Sequence, residues 1–172
     1  MALALPTKPT TCDLSTVAQP SSTLAPPTGL TLKLIALGKG TQNYTCATPT
    51  STPASNGAVA QLWDFSCSVA KNGPVPIATI GKHFFFDATT PEFDLNGLGN
   101  TRLSKKEVFT APIPAADVPW LRLETVAAGT TSPVKMIYRL KTKGGVAPAT
   151  CAGKKAGSTV TVPYEAQYWV YV

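Results

Sequence analysis

The chain has 172 residues, 44% of them hydrophobic and only 14% charged, with a formal net charge of +6. That length suits one compact domain with a buried core and argues against a two-domain enzyme. No run approaches the ~18 apolar residues a spanning helix needs, so no transmembrane segment is expected.

Residues 1–29 read as an N-terminal arm and residues 30–172 as a β-domain. Met1 to Leu5 contain Ala2-Leu3-Ala4, which reads as the small-residue end of a cleaved secretory signal, or as an initiator Met placed before a mature start. Pro6, Pro9, Pro20, Pro26 and Pro27 then disfavour a continuous helix or a central strand. Asp13 can cap one short helix over LSTVAQ; otherwise the arm is extended and held by Cys12.

From Leu30 the period is two. In LTLKLIAL, Leu30, Leu32, Leu34 and Ala36 share one face, as in a half-buried strand. Similar runs follow in QNYTC, VAQLWDF, IATI, KHFFF, KKEVFT, WLRLETVA, VKMIYRLK, STVTV and YEAQYWVYV, separated by turns such as SNG at 55–57, KNGP at 71–74 and KGG at 143–145. Three prolines mark 111–120 as a loop with at most one helical turn. About eight to ten short strands without a long amphipathic helix predict an all-β domain, an antiparallel sandwich or barrel.

Cys12, Cys46, Cys67 and Cys151 are widely spread and form no CxxC pair, which argues against a zinc knuckle or a thioredoxin-type site. Two structural disulfides, and with them an oxidising, extracellular or cell-wall setting, are expected; three pairings are open at this point. Asn43-Tyr44-Thr45 is an acceptor sequon that makes Asn43 a candidate glycosylation site, although such sequons also occur by chance.

His83 is the only histidine. Alternation in KHFFF puts it with Phe85 on one face and sets Phe84 with Phe86 on the other. As a metal ligand it needs partners, and Asp87, Glu92, Asp94 or Asp64 can supply oxygens, but no HxH or HExxH spacing accompanies it. A hydrogen-bonded structural histidine is the plainer expectation, and no metal is expected. A nucleophilic triad would have to use His83, yet no serine sits in a GxSxG elbow. A carboxylate pair drawn from Asp64, Asp87, Glu92, Asp94 and Glu124 would suit a glycosidase only at a fixed separation. Each acid is more simply a turn former or a partner for a base.

Lys135, Arg139, Lys141, Lys143, Lys154 and Lys155 stand against Glu165 alone after residue 130, so most of the net charge lies there. Lys135, Arg139 and Lys141 are expected on one side of one strand, a basic face that attracts anionic polymers or simply aids solubility. Nucleic acid is not expected, since no RNP-type motif or basic helix is present. On the last strand Trp169 and Tyr171 oppose Tyr164 and Tyr168, so one pair is expected to be exposed as a flat recognition surface. Trp63 and Trp120 are expected in the core.

Five blocks in order, GKGTQNYTC (38–46), GAVAQLWDFSC (57–67), VPWLRLE (118–124), YRLKTKGGVAPATC (138–151) and VPYEAQYWVY (162–171), resemble a secreted family of unknown function found in filamentous fungi and bacteria, whose members are often mislabelled malate dehydrogenase. The resemblance runs from about Leu30 to the end and implies secretion, with no catalytic residues to carry over. Lys141 stands where an amide such as Asn is expected. Cys46 and Cys151 both lie in these blocks, which favours Cys46 with Cys151 and leaves Cys12 for Cys67. The dehydrogenase label fails on the residues: after Gly38-Lys39-Gly40 the third glycine position is Asn43 and no helix follows, so nothing would cradle a pyrophosphate. No cofactor is expected.

Three functions remain at this level: an extracellular binding protein for a wall polysaccharide or a protein, with His83, Asp87, Asp94, Arg139, Lys141, Lys143, Trp169 and Tyr171 as candidate contacts; a small hydrolase or metal-dependent enzyme centred on His83; and a structural surface protein.

Overall fold

The computed structural model describes residues 12–71 and 78–172. Met1 to Leu5, Pro6, Pro9, most of the turn at 71–74 and the start of the IATI run lie outside the described residues. In chain order the strands are β1 (Leu32–Cys46), β2 (Ala54–Asp64), β3 (Thr79–Phe85), β4 (Pro91–Leu95), β5 (Gly99–Phe109), β6 (Trp120–Val126), β7 (Met136–Gly144) and β8 (Ser158–Tyr171), with a short helix α1 (Ser66–Ala70) after β2. Each strand pairs antiparallel with the next and β8 returns to β1, so the expected all-β domain is a closed eight-stranded barrel.

The longest run of pairing closes it. β1 and β8 are in register from Leu34 opposite Val170 to Cys46 opposite Ser158. Each strand unites two runs that the sequence separates. The glycines of β1 do not break it because they face inward at points where only hydrogen fits: a Cβ on Gly38 would lie 2.5 Å from the Tyr168 ring, and one on Gly40 would strike the Val59 carbonyl. Gly38-Lys39-Gly40 is thus clearance inside a barrel and not a nucleotide turn.

A bulge between Leu32 and Leu34 divides the first leucines between two cores. Leu34 and Ala36 face the lumen, whereas Leu30 and Leu32 join an outer cluster, so the four do not share one face. The lumen holds Leu62, Phe93, Leu95, Leu103, Ile137 and Val170. The outer cluster of Ile35, Trp120, Tyr138, Leu140, Trp169 and Tyr171 would be exposed on a bare barrel, and Leu14, Val17, Leu24 and Leu30 cover it.

Those covering residues belong to the arm, which makes one turn, with Val17 N donating to Leu14 O at 3.1 Å, rather than the helix allowed by Asp13. Asp13 Oδ1 instead accepts from Ser15 N at 2.9 Å, an Asx-type turn. Further along, Ala25 N donates to Glu107 Oε2 at 2.7 Å, and Tyr138 Oη donates to Ala25 O at 2.6 Å. Cys12 is bonded to Cys67 (Cα–Cα 5.3 Å) and Cys46 to Cys151 (Cα–Cα 5.7 Å), as the family blocks suggested. The first bridge fastens the arm beside α1; the second ties the end of β1 to the β7–β8 loop.

Two stability outcomes follow. Replacing Cys12 and Cys67 together by Ser is expected to cost about 2–4 kcal/mol in denaturant unfolding, because the closed loop spans 55 residues. Gly40→Ala is expected to cost about 1–3 kcal/mol, since the added methyl meets backbone that cannot swing aside; an unchanged midpoint would contradict the inward placement.

Candidate functional site

Lumen side chains form a buried cluster, and an open cavity adjoins it. A cavity of about 860 Å³ opens beside the β3–β4 and β5–β6 loops, with His83, Phe85, Leu103, Leu121, Arg139 and Tyr168 among its walls. Register places these side chains. Val108, Leu121, Arg139, Tyr168 and Ala36 are successive cross-strand partners from β5 round to β1, so they share one face. Ala60, His83, Phe93 and Thr101 form a second such row on β2 to β5. Tyr168 and Ala36 are lumen residues, so Arg139 stands on the lumen face of β7, half-buried at the cavity mouth.

His83 is 3% exposed. Its ring stacks on Phe93 at 4.1 Å and lies 5.4 Å from the Tyr168 ring. Nδ1 is 3.0 Å from Glu92 O, and a carbonyl only accepts, so the proton sits on Nδ1. Nε2 is then an acceptor, without a protein partner among the described residues. Burial, reinforced by the Arg139 charge, pushes the His83 pKa down to about 4, so the ring is neutral near pH 7. The hydroxyls of Tyr164 and Tyr168 share a 2.7 Å hydrogen bond, and burial raises the pKa of both.

Arg139 donates through Nε and Nη2 to Pro119 O, at 3.1 and 2.8 Å. No carboxylate pairs with it among the described residues. Its charge acts on Tyr44, His83, Tyr164 and Tyr168 alike. Of the other bases at the cavity, Arg102 is bound to Glu92 at 2.9 Å and lies over the Phe86 ring at 3.5 Å. Lys105 sits on the wall.

The carboxylates proposed around His83 do not converge on it. On β4 Phe93 faces inward, so Glu92 and Asp94 face outward by alternation. Asp87 lines the cavity mouth, but its Oδ1 accepts from Thr89 N, Thr89 Oγ1 and Thr90 N and its Oδ2 from Thr90 Oγ1. Asp64 Oδ1 accepts from Ser66 N at 3.0 Å, and Glu124 pairs with Arg122. Among the described residues no three His, Cys, Asp or Glu side chains gather as a cation would require.

The aromatic pair is also placed differently from expectation. Trp169 and Tyr171 do oppose Tyr164 and Tyr168, but the arm buries them, to 1% and 5% exposure. Trp120 is in the outer core as expected, while Trp63 is half-buried. Phe84 is half-buried beneath Lys82, and Phe86 is exposed. The basic strand face does not form either: a bulge between Leu140 and Lys143, with Lys141 at φ 51°, turns Lys141 outward while Arg139 faces the lumen. Lys143 is exposed opposite Glu165. Asn43 lies half-buried on β1, its Oδ1 accepting from Thr41 Oγ1 at 2.9 Å. Leu121, Leu123 and Leu103 were not singled out in the sequence as site residues; their signal was only alternation.

A second groove, of about 940 Å³, follows the seam between arm and barrel. Several of its polar groups are already engaged: Asp13 with Ser15, Gln19 with Tyr171, Ser22 with Leu24.

Residues 26–172 match the family model described as Protein of unknown function (DUF3455). The chain belongs to that family, as a disulfide-stabilised β-barrel member. Comparison with curated proteins and with solved structures returned no match. No helix among the described residues is long and apolar enough to cross a membrane.

The buried neutral histidine sets a pH signature. The unfolded chain takes up its proton near pH 6.5 and the folded chain only near 4, so stability is full above 6.5 and falls as the pH drops through that window. The loss amounts to roughly 3 kcal/mol. Urea midpoints between pH 7 and 4 should show this decline in the wild type and lose it in His83→Gln, apart from carboxylate titration.

Proposed function

We propose that the protein is an extracellular binding protein that holds one small, largely apolar organic molecule inside the barrel. The observation that carries this reading is the open cavity beside Leu121, Tyr168 and His83, next to a buried cluster that includes Leu62, Leu95, Ile137 and Val170. Eight-stranded barrels have an interior wide enough to be filled by side chains or to hold a single small ligand. Pockets for such molecules are concave and mostly apolar, with a few polar groups that fix orientation. Here those groups are the Nε2 acceptor of His83, the Tyr164–Tyr168 pair and Arg139.

Secretion belongs to the same proposal and rests on the two disulfides. A wall polysaccharide or protein partner would call for an exposed platform. The aromatic pair first considered for it lies under the arm, which favours the lumen over the surface.

The test is a fluorescent apolar probe, N-phenyl-1-naphthylamine, titrated into the intact oxidised protein. Saturable binding at one site per chain is expected. Leu121→Trp fills the cavity and should weaken it at least ~10-fold while leaving the near-ultraviolet circular dichroism native-like. Binding that survives this substitution unchanged would place the probe elsewhere and remove the reading.

A further inference from the structure

We propose that the ligand is an amphipathic organic monoanion, a carboxylate or sulfonate on an apolar body, whose charged group is bound by the Arg139 guanidinium at the mouth of the barrel cavity. This rests on the lumen-binding reading above and adds to it the chemical class of the ligand.

Arg139 lies in an inward row between Leu121 and Tyr168, where a side chain of β7 would otherwise be apolar. Arg139 is half-buried, with its guanidinium at the solvent-reached mouth of the cavity. Its protein partner is one carbonyl, Pro119 O, which occupies Nε and Nη2. A carbonyl orients the guanidinium without neutralising it, and guanidinium N–H groups remain on the side away from that carbonyl. Those donors suit an anion that offers two oxygens to accept parallel hydrogen bonds, as a carboxylate or a sulfonate does.

Among the described residues, the surroundings offer no protein counter-charge. Glu92, whose backbone carbonyl meets His83, has its carboxylate spent outside the barrel on Arg102. Asp87, the only acid lining the cavity among the described residues, is saturated by Thr89 and Thr90. His83 presents a lone pair and no positive charge, so anion recognition in the lumen falls to Arg139, with Lys105 supplying a field at the wall. The leucines opposite then accept the apolar body.

A matched pair of probes isolates the charge. 1-Anilinonaphthalene-8-sulfonate is N-phenyl-1-naphthylamine with one added sulfonate. The wild type should bind the sulfonate at least ~10-fold more tightly, the scale of one charge-assisted bidentate contact. In Arg139→Gln that ratio should fall to about one, with the neutral probe unchanged; Arg139→Lys should keep part of it. Native-like near-ultraviolet circular dichroism in each variant excludes partial unfolding, which binds such probes nonspecifically. Lys141→Gln with Lys143→Gln serves as the surface control and should leave the ratio intact. Decanoate should displace the sulfonate probe, and methyl decanoate should do so at least ~10-fold less well.

Equal affinities for the two probes in the wild type, or a preference lost with the surface lysines and kept in Arg139→Gln, would overturn the anion proposal while the lumen reading stands. Failure of both probes to bind the lumen would overturn both.

Discussion

The pairing of β8 with β1 is the constraint on which everything else rests. Closing the sheet removes both edges and gives every strand an inside and an outside, so alternation decides between lumen and surface at each residue. The inside of an eight-stranded barrel is narrow. Large rings at Phe93, Tyr164 and Tyr168, together with His83, fit because β1, β2 and β8 present Ala36, Gly38, Gly40, Ala58, Ala60 and Ala166 toward them. Small residues on one arc and large ones on the other fill the lumen to native density where they meet and leave space where they do not.

Closure creates a second requirement. The outward faces of β1 and β5 to β8 carry more aromatic surface than a soluble barrel leaves bare, and the arm covers it. Tyr138 spans both tasks, with its ring in the outer core and its hydroxyl on Ala25 O. Glu107 holds Ala25 N and also pairs with Arg122, so a small ionic network lies under the arm. With that face covered, the mouth is where an apolar interior and polar side chains meet solvent.

Much of this was legible in the sequence, because alternation is a direct image of the pleat. It separated Tyr164 and Tyr168 from Trp169 and Tyr171, and His83 and Phe85 from Phe84 and Phe86, as the structure has them. It failed where one residue breaks the period. The bulge at Lys141 sends Arg139 inward and its supposed neighbour outward, and the bulge after Leu32 splits the leucines. Strand β4 was hidden because PEFDL begins with proline and carries two acids, and only its pairing with β3 and β5 makes it a strand. The burial of Trp169 was hidden for another reason: its cover comes from residues 12–30, whose prolines say what the segment is not and nothing about where it packs. The absence of convergence between His83 and the acids likewise depends on which way β4 faces.

A single histidine makes the central claim directly measurable. The imidazole nitrogen resonances of uniformly labelled protein report one ring, followed at pH 7 while N-phenyl-1-naphthylamine is added. The account predicts the neutral tautomer with its proton on Nδ1 before addition, and a saturable shift of the Nε2 resonance as the probe enters the lumen. A charged ring at that pH, or a ring whose resonances stay fixed while the probe binds, would contradict it.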